Sequence, residues 1–187
     1  MAQGEFRFGG INHLALVCSD MERTVAFYSG VLGMPLVKTI ELPDGRGQHF
    51  FFDCGGDDCL AFFWFPTAPD GVPGISAPEH KPGDGDIVSA VSSMNHVAFT
   101  VPAEKFDEYY ARMQEKGVAV SPIINHDDSP STVSRELHPG VFVRSFYFED
   151  PDGIILEFAC WLRAFTEEDV RHAPRTAADR TPQVLVS

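Results

Sequence analysis

The sequence predicts an α+β fold built from two βαβββ modules. NHLAL at 12–16 recurs as NHVAF at 95–99, and each copy leads into the same succession of one helix-like stretch and three strand-like stretches. Between the copies lies a Pro/Gly-rich segment with Pro69, Pro73, Pro78 and Pro82, which reads as a linker or surface excursion. The chain therefore divides into a first module at 8–66, a linker at 67–91, a second module at 92–163 and a C-terminal tail at 164–187.

NHLALVCSD (12–20) is short and apolar, as a buried strand is. Asp20 or Ser19 then caps a helix through MERTVAFYSGVL, with Val25, Phe27, Tyr28 and Leu32 available to a core and Gly33 at its end. MPLVKTIEL follows as a strand and Pro43-Asp44-Gly45 turns it. QHFFFDC and CLAFFWF form a hairpin around Gly-Gly-Asp-Asp. In the second module, NHVAF is the strand and 104–116 the helix, with Phe106, Tyr109, Tyr110 and Met113 at core spacing. VAVSPIIN reads as a strand and HDDSPSTVSRELHPG as a polar connection. VFVRSFYFE and IILEFACWL form a hairpin about Asp150-Pro151-Asp152-Gly153. A short helix around 167–171 interrupts a tail that is mobile or packs on a partner subunit.

A chain of 187 residues can bury a substantial core. Its net charge of −13 repels phosphate backbones and anionic membranes, so neither nucleic acid nor a membrane is an expected partner. The first residues lack the apolar run of a signal peptide, and a cytoplasmic location with reduced thiols is the expectation. Cys18, Cys54, Cys59 and Cys160 then read as free thiols. Cys54 and Cys59 could pair across their hairpin; zinc ligation lacks a second Cys/His pair at suitable spacing.

His13 and His96 occupy the same place in the two repeats, each after an Asn and before an alanine-containing strand. A lone strand histidine is usually a satisfied core residue, whereas two at matched positions can converge on one cavity. Glu157 sits among apolar residues in IILEFAC, where an unpaired carboxylate is costly. It is an edge residue facing solvent, a partner of an arginine such as Arg144, or the third ligand of a divalent metal, and the metal accounts best for its setting.

NHLAL with FYSGVLGM, NHVAF and EDPDGIILEF together resemble the vicinal-oxygen-chelate superfamily over about residues 10–163. That resemblance implies paired βαβββ modules forming a curled mixed sheet around a metal held by His13, His96 and Glu157. Glyoxalase-like members add a ligand on the last strand of the first module. The repeat locates that slot, because Phe148 to Glu157 spans the same interval as Phe52 to Ala61. Ala61 is no ligand, and the two-His-one-carboxylate set that remains suits Fe(II), with Mn(II) or another divalent metal as alternatives.

The resemblance is nearest to type I extradiol dioxygenases, whose pocket carries a His and a Tyr at the spacings of His138 and Tyr147 before the ligand Glu. It implies that Tyr147 hydrogen-bonds a metal-bound phenolate and that His138 contacts substrate or oxygen. The acid–base His of that branch is missing from CLAFFWF. His49 is the candidate substitute, since it shares inward parity with the position equivalent to Tyr147. The leading expectation is an Fe(II) dioxygenase that cleaves a small catechol-like aromatic with O2, as a homodimer. The alternatives are a glyoxalase- or epimerase-like lyase or isomerase using the metal as a Lewis acid, and a protein that only binds an aromatic ligand. His80, His126 and His172 carry no assignment.

Overall fold

The computed structural model describes residues 7–181. Its elements in chain order are β1 (His13–Cys18), a helix that is α from Met21 to Val25 and π from Ala26 to Val31 (together α1), β2 (Leu36–Leu42), β3 (Gly47–Gly55) and β4 (Asp58–Trp64). The second set is β5 (Val97–Thr100), α2 (Phe106–Glu115), β6 (Ile124–His126), β7 (Val133–Ser134), β8 (Val143–Glu149) and β9 (Ile155–Trp161). The sheet orders are β1-β4-β3-β2 and β5-β9-β8-β6-β7, so the α+β repeat expected from NHLAL and NHVAF is present down to its topology. In each sheet the first strand runs parallel to the last and the others are antiparallel. The two sheets are separate, not one closed barrel.

Local chemistry explains the boundaries. Asp20, in extended conformation, accepts from Arg23 N and caps α1. Ser19 caps nothing and instead hydrogen-bonds Asp152 of the second module. The expected strand over 118–125 shrinks to β6. Pro122 has no N–H to donate, and the Ser121 hydroxyl takes the Tyr147 N–H that a strand would have paired. The polar connection after β6 contains β7, and the tail helix is a single 3-10 turn at Glu167–Asp169 capped by Thr166. Residues 67–91 form no strand or helix beyond an isolated bridge between Pro73 and Ala77. All four cysteines are free. Among the described residues no helix is long and apolar enough to cross a membrane.

One apolar cluster joins the modules. Leu16, Tyr28, Phe52, Leu60 and Phe62 of the first meet Phe106, Met113, Phe146, Phe148 and Leu156 of the second. Alternation along each strand leaves His13 and Glu157 on the opposite faces of their sheets from this cluster. Polar contacts lock the same junction. Tyr28 Oη donates to Asp150 Oδ2 at 3.0 Å in the buried interior, and Arg23 pairs with Asp152 at 2.7 Å. Asp150 also accepts from the N–H groups of Asp152 and Ile154, which closes the β8–β9 turn around a positive-φ Gly153.

Burial and the charge of Asp150 push the Tyr28 phenol well above the usual tyrosine value. An unfolded tyrosine releases its proton near pH ~10 while the folded one keeps it. This contribution is therefore complete below that pH and is lost as pH rises beyond it. Tyr28→Phe is expected to lower the free energy of unfolding in urea by about 1–2 kcal/mol at neutral pH, and to make the alkaline decline shallower. An unchanged urea midpoint would exclude the Tyr28–Asp150 contact as a clamp between modules.

Candidate metal centre

The register of the second sheet places Ala98, Glu157 and Tyr147 side by side across β5, β9 and β8. His96 immediately precedes β5, and its Nε2 lies 3.1 Å from Glu157 Oε2. The other ring nitrogen, Nδ1, is 2.8 Å from Asn95 Oδ1, an acceptor, so Nδ1 carries a hydrogen, and in the neutral ring Nε2 presents its lone pair. A lone pair facing a carboxylate oxygen is repulsive unless positive charge lies between them. A proton on Nε2 supplies it, and so does a metal ion: two adjacent ligands each about 2.1 Å from a metal stand about 3 Å apart. The donor set thus fits a divalent cation. His13 repeats the arrangement, with Nδ1 2.8 Å from Asn12 Oδ1. This explains why Asn precedes both histidines: an amide oxygen that fixes the ring tautomer is the usual support of a ligating imidazole.

Glu157 is only 5% exposed. Burial alone raises its pKa, but the neighbouring His96, Ser145 and Tyr147 together outweigh burial and hold the carboxyl below the ordinary range. It is therefore a carboxylate at neutral pH. Tyr147 is pushed up to about 12 by burial, so it stays a neutral donor. Its ring stands edge-on to His96 at 5.7 Å. Arg144 takes no part, because it pairs with Asp107 at 2.8 Å and lies over the Phe106 ring.

The site has a member that sequence reading passed over. His126 ends β6, and its Nε2 is 3.3 Å from Ser145 Oγ, which in turn is 3.5 Å from Tyr147 Oη. Burial lowers the His126 pKa, with the charge of Glu157 opposing the shift and His96 adding to it. His126 is thus a neutral imidazole within electrostatic reach of the His96–Glu157 pair. Only the pairing of Ile124 with Ser145 brings it there. No motif flags that pairing, and the polar run that His126 opens placed it just outside the strand read at 118–125.

The other expected residues lie apart. His138 Nε2 bonds Asp127 Oδ2 at 3.0 Å and its Nδ1 accepts from Gly140 N, so both ring nitrogens are spent on stitching the 127–140 loop. His49 does share a face with His13. It is stacked on Phe63 at 3.6 Å, and its Nε2 is enclosed without a partner. Burial first, and the neighbouring His13 second, lower its pKa. His13 itself is exposed at the start of β1, and Ala61 occupies the register slot that Glu157 fills in the second sheet. Among the described residues no three His, Cys, Asp or Glu side chains converge closely enough to hold a metal, so His13 does not join His96 and Glu157 within one chain.

Comparison with known proteins agrees with the paired-module fold. The chain is 28% identical to the metallothiol transferase FosB of Shouchella clausii over 170 residues, which cover 91% of this chain and 90% of that one. It is 26% identical to the glutathione transferase FosA of Serratia marcescens over 147 residues, 79% of this chain and 77% of the other. A glyoxalase family protein from Enterococcus faecalis superposes with a TM-score of 0.54 at 24% identity, covering 81% of this chain and 98% of that one. The family model of the glyoxalase/bleomycin resistance protein/dioxygenase superfamily matches residues 10–158, a span that takes in most of both modules and every residue of the site. The chain belongs to that superfamily.

Proposed function

We propose that this protein is a metal-dependent enzyme that uses a divalent cation as a Lewis acid on a small substrate bearing two adjacent oxygens. The reaction is of the lyase, isomerase or group-transfer kind and consumes no oxygen. The observation that carries the reading is the His96–Glu157 pair at 3.1 Å, with the histidine oriented by Asn95 and the carboxylate kept ionised by hydroxyl donors. Such a cation, when bound, polarises substrate oxygens and stabilises developing negative charge. Mn(II), or another hard divalent ion, suits that task as well as Fe(II). The names of the FosB and FosA relatives, a metallothiol transferase and a glutathione transferase, favour transfer over oxygenation.

The chain's own residues divide the remaining work. Tyr147 and Ser145 offer hydroxyls beside Glu157. His126, neutral and linked to them, is the group best placed to take up a substrate proton. The ring-cleaving dioxygenase reading relied on His138 and His49. With both nitrogens of the first bonded within its loop and the second packed between rings, it has less support.

His13 enters through assembly in this reading. Among the described residues β1 and β5 are end strands with unpaired outer edges, and His13 lies exposed on a site-facing surface. A second copy of the chain supplies His13 to the His96–Glu157 pair of the first, giving a homodimer with two composite centres.

Three outcomes test these statements. Glu157→Gln is expected to lower Mn(II) affinity by at least ~100-fold, and Asn95→Ala and Asn12→Ala by about 10–100-fold each, read by equilibrium titration; full retention of Mn(II) by Glu157→Gln would sink the metal assignment. His13→Ala and Glu157→Ala proteins are each expected to lack the centre. Refolded together, they regain one tight Mn(II) site per heterodimer, and no recovery would mean that the ligands do not come from two copies. Under argon, the Mn(II) protein is expected to turn over members of a panel of hemithioacetals, acyl-CoA thioesters and epoxide–thiol pairs. Oxygen uptake with catechols on the Fe(II) protein, and no anaerobic turnover, would restore the dioxygenase reading.

A further inference from the structure

Ser145, Tyr147 and Glu157 lie on the face of the second sheet that is turned away from the core, yet each is no more than 5% exposed. The first sheet differs. Phe51 stands in its register where the second sheet has Tyr147, and Phe51 is only half-buried. A sheet face outside the core is this closed only when another part of the chain lies against it.

The segment between the modules does so. Lys81 Nζ pairs with Glu149 Oε1 at 2.7 Å and with Asp84 Oδ2 at 3.5 Å. Two residues on, Gly83 rests on β6, where a Cβ built on it would meet Ile124 Cδ1 at 3.7 Å. Alternation sets Glu149, Tyr147 and Ser145 on one face of β8, and Ile124 is the register partner of Ser145. The two contacts therefore bracket Tyr147 and Ser145, and residues 81–83 pass beside them as a strap.

The strap is preformed but lightly held. Asp84 N donates to Lys81 O and closes a turn, within which Gly83 takes a φ of +93° that few side chains tolerate. Its clasp is one ion pair between side chains 17% and 46% exposed, and such pairs contribute little to stability. A segment of this kind opens locally while the fold stays intact. Its far end is tied to the site itself. Asn95 Nδ2 donates to Ile87 O at 2.8 Å, while Oδ1 of the same amide accepts from His96 Nδ1. One side chain thus holds the strap and fixes the tautomer of His96.

We propose that residues 80–88 are a lid over the second half-site, clasped by Lys81 and Glu149 and coupled to His96 through Asn95. Substrate reaches Tyr147, Ser145 and Glu157 when the clasp opens. A cation on the His96–Glu157 pair fixes the Asn95 amide and so favours the closed lid. The coupling rests on the metal reading above; the lid does not.

Hydroxyl-radical labelling of Tyr147 in the metal-free full chain, read by mass spectrometry, tests the lid. Lys81→Met and Glu149→Gln are each expected to raise labelling about threefold. The swap Lys81→Glu with Glu149→Lys is expected to return it to the parent level. Unchanged labelling in both single variants would overturn the lid, as would a rise that the swap leaves in place. Hydrogen exchange over 80–88 tests the coupling, with Mn(II) expected to slow it about tenfold. Asn95→Asp keeps an acceptor for His96 but has no N–H for Ile87 O, and it is expected to bind Mn(II) without that slowing. No slowing in the Mn(II)-bound parent, or slowing that persists in Asn95→Asp, would overturn the coupling. A parent that binds no Mn(II) would sink the metal reading and the coupling with it, and the lid would still stand or fall on the Tyr147 labelling.

Discussion

The parallel pairing of the first strand of each module with its last is the contact on which the site depends. It sets a histidine at the N-terminal end of one strand against a slot two residues further along the neighbouring strand, on the same face. In the second sheet the slot holds Glu157, and a histidine–carboxylate pair results. In the first sheet the same slot holds Ala61, and the surface beside His13 becomes apolar. One backbone frame thus yields two unlike half-sites, one anionic and rich in hydroxyls, the other flat and aromatic.

Burial decides how strongly each half-site is defined. A carboxylate as enclosed as Glu157 is tolerated only with donors or a cation around it. Ser145 is itself buried and Tyr147 nearly so, which leaves their hydroxyls few alternatives to the His126–Glu157 chain. The aromatic half-site is held differently. Its rings share no polar network, and their placement follows from side-chain alternation with Phe50, Phe52 and Phe62 on the opposite face.

Much of this was legible in the sequence because it repeats. The NHLAL and NHVAF copies fixed the module order and matched His13 with His96. The interval from Phe52 to Ala61 set Ala61 against Glu157, and the strand register reproduces that equivalence. What escaped depends on pairings between distant segments. His126 reaches the site only because Ile124 pairs with Ser145. His138 lies at a suggestive interval before Glu157, yet Asp127 and the Gly140 N–H claim its ring. Spacing along the chain carries no information about which nitrogen of a histidine is already bonded. The role of Asn12 and Asn95 was likewise invisible, although both residues stood in the motif, because it is a matter of tautomer and not of residue type.

The junction between modules bears on what a single chain can do. Tyr28 with Asp150, Ser19 with Asp152 and the shared phenylalanine cluster bind the modules through the faces opposite His13 and Glu157. Bringing His13 to Glu157 within one chain would mean breaking a buried hydrogen bond and exposing part of that cluster. Adding a second copy costs neither, since among the described residues the edges of β1 and β5 are already free of ladder partners. In the proposed composite centre the cation would then bind the assembled form in preference to the single chain. Linkage makes this reciprocal: metal would tighten assembly by the same factor by which assembly tightens metal.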